Sequence, residues 1–194
     1  MITAFLSSMM FYMVCTFPLY IVARVVYVKW RRVHLNLVRE LLLALFSLYA
    51  IAISSQTIIP HWSIGVDSET GKLFVDMHLR QYKSYNFVPF STIEMYFVGV
   101  GDTASQWSLI SVYNLAGNVI LFVPIGLFVP LLWQRWRTWL GILMVAIAVP
   151  FFIEFIQYFI GRSSDVDDLI LNAVGIMWGY FVYKLFAAIL SIKR

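Results

Sequence analysis

Charge is scarce in this chain. Asp, Glu, Lys and Arg make up 12% of its 194 residues, against 61% hydrophobic and 18% aromatic. A water-facing globular domain carries about twice that charged fraction, so the composition excludes one and points to a polytopic membrane protein. There is one cysteine, Cys15, inside an apolar run, so no intrachain disulfide forms and a small packed or lipid-facing side chain is its ordinary use. No Ser–His pair, no His–Cys cluster and no phosphate-binding P-loop is present, and His34, His61 and His78 are scattered through loops. The net charge of +4 is spread in short groups beside apolar runs and forms no continuous patch, which argues against nucleic acid as a partner. The basic n-region of a secretory signal is missing, and the first apolar run is longer than a signal's apolar core, so an uncleaved helix is expected there. Internal repeats and low-complexity segments are absent too.

What is present is a series of apolar runs of the length a bilayer requires, about 20 residues each. The first covers Ile2 to Val28, with Arg24 near enough to its end to snorkel, and the basic segment from Lys29 to Arg32 stops it. The second covers Leu41 to Ile59 and is closed by Pro60. The third, from about Leu109 to Trp133, tolerates Pro124, Gly126 and Pro130 because neighbouring helices can re-satisfy its backbone. The fourth runs from Thr138 to Ile160 and the fifth from about Asp165 to Leu190. Between the second and third lies the one sizeable loop, His61 to Ser105, in which 67–72 reads as a turn and Lys72 to His78 alternates like a short strand. Ser91 is placed to cap a short interfacial helix through Val98.

The expected fold is therefore all-α, a helical membrane bundle of about five transmembrane helices with one larger extracytoplasmic loop. It divides into an N-terminal transmembrane hairpin over 1–60, the loop over 61–105 and a three-helix membrane part over 106–194. With the N-terminus outside and the C-terminus cytoplasmic, ten Lys and Arg fall on the cytoplasmic side and four, Lys72, Arg80, Lys83 and Arg162, outside. Gly175 and Gly179 form a Gly-x-x-x-Gly pair suited to close helix packing.

Five ionisable residues cluster where the fourth and fifth helices meet. Glu154 and Gln157 share one face of the fourth helix, while Asp165, Asp168 and Asn172 form one stripe down the start of the fifth. Arg162 stands in the turn between them, and Asn114 and Asn118 share a face near the outer end of the third helix. Intramembrane carboxylates cost about 2.5 kcal/mol or more, so they are normally paired, bundle-facing and functional. One polar site built from these helices is expected, and a purely structural knot of buried charges is its bland competitor. Ser164, Asp165 and Asp167 each also suit a helix N-terminus, and of the three Asp167 alone is assigned to that role. Arg162 serves as an interfacial anchor, a partner for the acids or a bidentate holder of a ligand phosphate.

The segments Asn86-x-x-Pro89-Phe90, Asn114-x-x-Gly117-Asn118-x-x-x-Phe122-x-Pro124-x-Gly126, Glu154-x-x-Gln157 and Arg162-x-x-Asp165-x-x-Asp168-x-x-x-Asn172-x-x-Gly175 resemble the VanZ-like family of bacterial membrane proteins. The resemblance spans residues 86 to 179 and implies a small helical domain in the bacterial plasma membrane. Founding members accompany glycopeptide resistance clusters and lower sensitivity to teicoplanin. The expectation is action at the outer leaflet on an amphiphile: a membrane lipid headgroup, a lipid-linked cell-wall precursor or a lipoglycopeptide such as teicoplanin, with no cofactor. One alternative is an intramembrane enzyme in which Asp165 and Asp168 hold a divalent cation and Glu154 acts as base. Another is a lipid or ion transporter with Glu154 titrating in the bundle, against which the lack of an inverted repeat weighs.

Overall fold

The computed structural model describes residues 2–32, 34–59, 61–67, 70–78, 85–98, 106–160, 162 and 164–192. Among them six α-helices form: α1 (Ile2–Arg31), α2 (Leu37–Thr57), α3 (Ser91–Val98), α4 (Gln106–Leu132), α5 (Trp139–Phe159) and α6 (Val166–Ile192). All but α3 are long and apolar enough to cross a membrane, so the all-α, five-span bundle stands. Local chemistry sets their ends. Asn36 caps α2 by accepting from the Arg39 amide, and Thr138 caps α5 by accepting from that of Gly141. Pro60, expected to close the second helix, lies outside the described residues; α2 already ends at Thr57.

The core sits where α4, α5 and α6 meet, with Phe122, Ile125 and Val129 of α4 packed among Ile142, Ala146 and Ile153 of α5 and Ile176 and Tyr180 of α6. α4 and α6 touch backbone to backbone. A Cβ on Gly126 would overlap the Ile176 carbonyl oxygen, and Cβ atoms on Gly175 and Gly179 would overlap those of Val119 and Val123. The Gly-x-x-x-Gly pair thus packs as its spacing predicts, with Gly126 as its counterpart on α4. This contact fixes the register between Asn118 on α4 and Asp168 on α6. On the other flank, the Tyr49 hydroxyl of α2 donates to the Leu121 carbonyl of α4.

α1 packs on α2 and leaves most of its apolar surface exposed. Arg24, expected to snorkel, forms a bidentate pair with Glu40 of α2, at 2.8 Å from Nε to Oε2 and 2.6 Å from Nη2 to Oε1.

The loop carries more strand than its alternation predicts. β1 (His61–Val66) pairs antiparallel with β2 (Leu73–His78), closed by a turn in which Gly71 takes φ +65° and the Thr70 amide donates to Asp67 Oδ1. A second, parallel pair joins β3 (Tyr85–Asn86) to β4 (Ser164–Asp165). It pins the loop against the α5–α6 turn.

Candidate functional site

The site is assembled at the junction of α5 and α6, with α3 laid over it. Asp165 and Asp167 hold the cover in place. Asp167 is fully buried, and its carboxylate accepts from three backbone amides across the junction: Phe90 at 2.5 Å, Thr92 at 2.8 Å and Ile93 at 3.1 Å. These are amides at the start of α3, so Asp167 caps a helix other than its own. Its place as an acid in the first turn of α6 holds, but that placement does not reveal the cap on α3.

Asp165 is bound from the same cover. Its Oδ2 accepts from the Thr92 hydroxyl at 2.6 Å, and its Oδ1 accepts from Asn86 Nδ2 at 3.2 Å and the Asp167 amide at 2.9 Å. Asn86 also donates to the hydroxyls of Ser91 and Thr92 and accepts from the Val88 amide, which shapes the turn before α3. In that turn Phe90 takes φ +68°, an uncommon conformation for a residue with a side chain. Asn86 entered the sequence reading only through its motif, and Thr92 did not enter it.

The two residues on the face of α5 are both buried but serve different neighbours. Glu154 Oε2 accepts from the Asp165 amide at 3.1 Å, tying α5 to β4. Gln157 Nε2 donates to the Thr57 carbonyl at 3.0 Å, and Arg162 Nη1 donates to the Gln56 carbonyl at 2.7 Å. Those carbonyls belong to the last turn of α2, whose acceptors have no partner within their own helix. A cation there also complements the negative end of the helix dipole. Gln157 and Arg162 thus close the end of α2, while Glu154 turns to β4.

On α6, Asp168 Oδ1 accepts from Asn118 Nδ2, bridging α6 to α4. Asn172, one turn further on, is 5% exposed, and its Oδ1 has no hydrogen-bond partner among the described residues. Asn114 lies in α4, but its side chain falls outside the described residues. Of the expected cluster, Glu154, Asp165, Asp168 and Asn118 come together around the start of α6, and Gln157 and Arg162 turn to α2.

Beside this network is an open cavity of about 310 Å³. Phe151, Glu154, Phe155 and Tyr158 of α5 line it from one side, Ser164, Asp165, Val166 and Leu169 from the start of α6 and the strand before it, and Phe87 from the loop. A mostly apolar cleft with a few fixed polar groups is the usual form of a small-ligand site. A second cavity of about 530 Å³ lies between α2, α4 and α5, lined by residues such as Tyr49, Ile53, Ile125 and Phe152 and, among the described residues, by no Asp or Glu.

The sequence profile of one protein family, VanZ/LLP1, matches residues 46–187. The chain belongs to the VanZ/LLP1 family. The matched stretch runs from within α2 to near the end of α6, so it includes the capped end of α2, which the motifs from Asn86 onward leave out. Every site residue named above falls inside it. No curated protein and no solved structure matches the chain. Membership of VanZ/LLP1 together with five spanning helices makes this a multi-pass membrane protein.

Proposed function

We propose that this VanZ/LLP1 protein binds an amphiphile in the cavity between α5 and α6, from the outer leaflet of the bacterial plasma membrane. The N-terminus is then outside and the C-terminus cytoplasmic. The observation that carries this reading is the cavity's composition: apolar and aromatic walls from membrane helices that also carry the carboxyl groups of Glu154 and Asp165. An acyl or other apolar portion packs against Phe151, Phe155 and Leu169, and the polar head meets the acids at the turn. The candidates are a lipid headgroup, a lipid-linked cell-wall precursor or a lipoglycopeptide of the teicoplanin type, the last through the family resemblance. A role for Arg162 as phosphate holder loses support, because its guanidinium reaches the Gln56 carbonyl and it is not a wall of the cavity.

A photo-crosslinking phenylalanine analogue at Phe155, compared with one at the exposed Phe181 of α6, tests this in cells. The expected result is an adduct at Phe155 dominated by one class of amphiphile, with the bulk lipid mixture at Phe181. The same mixture at both positions would rule the site out.

A further inference from the structure

Resting on the reading of this cavity as an amphiphile site, we infer that its ligand carries a cationic ammonium head, and that the cavity discriminates against anionic heads on an equal tail. Among the described residues that line it, the carboxyl groups are those of Glu154 and Asp165, and none is Lys, Arg or His. A cationic head favours the ionised form of such a carboxyl, which then only accepts hydrogen bonds and so suits an N–H donor or a fixed positive charge. Three aromatic rings, Phe151, Phe155 and Tyr158, stand in the same wall. An ammonium within about 6 Å of such a ring face gains further attraction that a neutral or anionic head does not.

The start of a helix ordinarily favours an anion, and α6 begins at this cavity. Here the protein's own acids occupy that end. The Asp167 amide donates to Asp165 Oδ1, and both Asp167 and Asp168 lie in the first turn. A phosphate or carboxylate arriving from the membrane would meet those charges after losing its water, which is unfavourable. The second cavity has no carboxylate among the described residues on its walls and provides no basis for the same selection.

The test uses the purified full chain in a neutral maltoside detergent, titrated with dodecyltrimethylammonium or dodecyl phosphate and read by native mass spectrometry. Binding of one ammonium amphiphile per chain is expected about tenfold more tightly than the phosphate, a difference that falls below about threefold in Glu154→Gln. Glu154→Asp keeps the preference, and Asp165→Asn provides a second variant should Glu154→Gln fail to fold. Equal binding of both heads by the unmodified protein overturns the ammonium inference and leaves the amphiphile site standing. Tighter phosphate binding, or a preference unchanged in every carboxyl variant that folds, overturns it as well. Saturable binding of neither amphiphile removes the site itself.

Discussion

The Asp167 carboxylate and the Phe90 amide lie 77 positions apart in the chain and 2.5 Å apart in space. Through that bond and its neighbours, the first turn of a membrane-spanning helix holds the short helix α3 and the turn before it in place. The cover exists because the acid is there.

Removing the acid should therefore release the cover. Asp167→Ala leaves three amides without their acceptor, and at about 1–3 kcal/mol for each buried group left unpaired, a loss of about 3 kcal/mol or more is expected. Asp167→Asn keeps one acceptor oxygen and should lose less. Thermal unfolding in detergent, with protease sensitivity of the 85–98 segment, measures both. An Asp167→Ala protein as stable and as protected as the parent would show that the carboxylate does not hold α3.

The contact between α4 and α6 makes a sharper comparison among glycines. Gly179→Ala puts a methyl group into the Val123 carbonyl, so the helices must part, and a loss of about 2 kcal/mol or more is expected. Gly117→Ala meets nothing within 4 Å and should gain up to about 1 kcal/mol from helix propensity. Melting temperatures of the two variants check this; an equal shift in the same direction would contradict the close crossing.

Arg162 is expected to matter for the end of α2 more than for the ligand. Arg162→Ala frees the Gln56 carbonyl and should cost about 1–2 kcal/mol of stability, while binding in the α5–α6 cavity survives. Measuring unfolding and amphiphile binding on the same preparation separates the two roles. Normal stability with binding abolished would restore the role of ligand holder.

Asp168 tests the divalent-cation alternative. Asp168→Asn still offers an oxygen to Asn118 and should retain part of the binding, whereas Asp168→Leu should lose far more, and chelation or added Mg²⁺, Ca²⁺ or Zn²⁺ should change neither the parent nor the variants. Total loss in Asp168→Asn matched by loss on metal removal would favour the metal enzyme.

Orientation rests on the ten-to-four division of Lys and Arg. Single cysteines at Ser68 and Ser191, in a chain with Cys15→Ser, should react differently with an impermeant reagent added outside cells. Labelling at 68 and protection at 191 are expected, and the reverse pattern would invert the topology.

The five spans were legible because a long apolar run admits few other structures in a membrane protein. Their ends shifted by only a few residues, with α4 beginning at Gln106 where the pattern begins at Leu109. Helical spacing places Asp168 and Asn172 one turn apart on α6, but Asp165, expected to start the same stripe, lies in β4 before the helix and its carboxylate turns to Asn86 and Thr92. What spacing could not supply was the partner on the other side. Gln157 shares a face with Glu154 yet reaches Thr57, because a helix face can meet two neighbours at once. Asp167 looked like an ordinary helix-start acid, and nothing local revealed that its carboxylate caps α3. β1 was missed because Trp62 and Ile64 alternate with Ser63 and Gly65 too briefly to stand out without β2 beside them.

The binding of one amphiphile between α5 and α6 is tested most directly by filling the cavity from inside. Leu169 is one of its walls, and Leu169→Trp should occupy much of the roughly 310 Å³ while every acid of the network is kept. In equilibrium titrations of the purified chain with dodecyltrimethylammonium, the expected result is saturable binding of one molecule that weakens about tenfold or more in Leu169→Trp, with the melting temperature of the free protein unchanged. Equal affinity in the two proteins would contradict the assignment of the site.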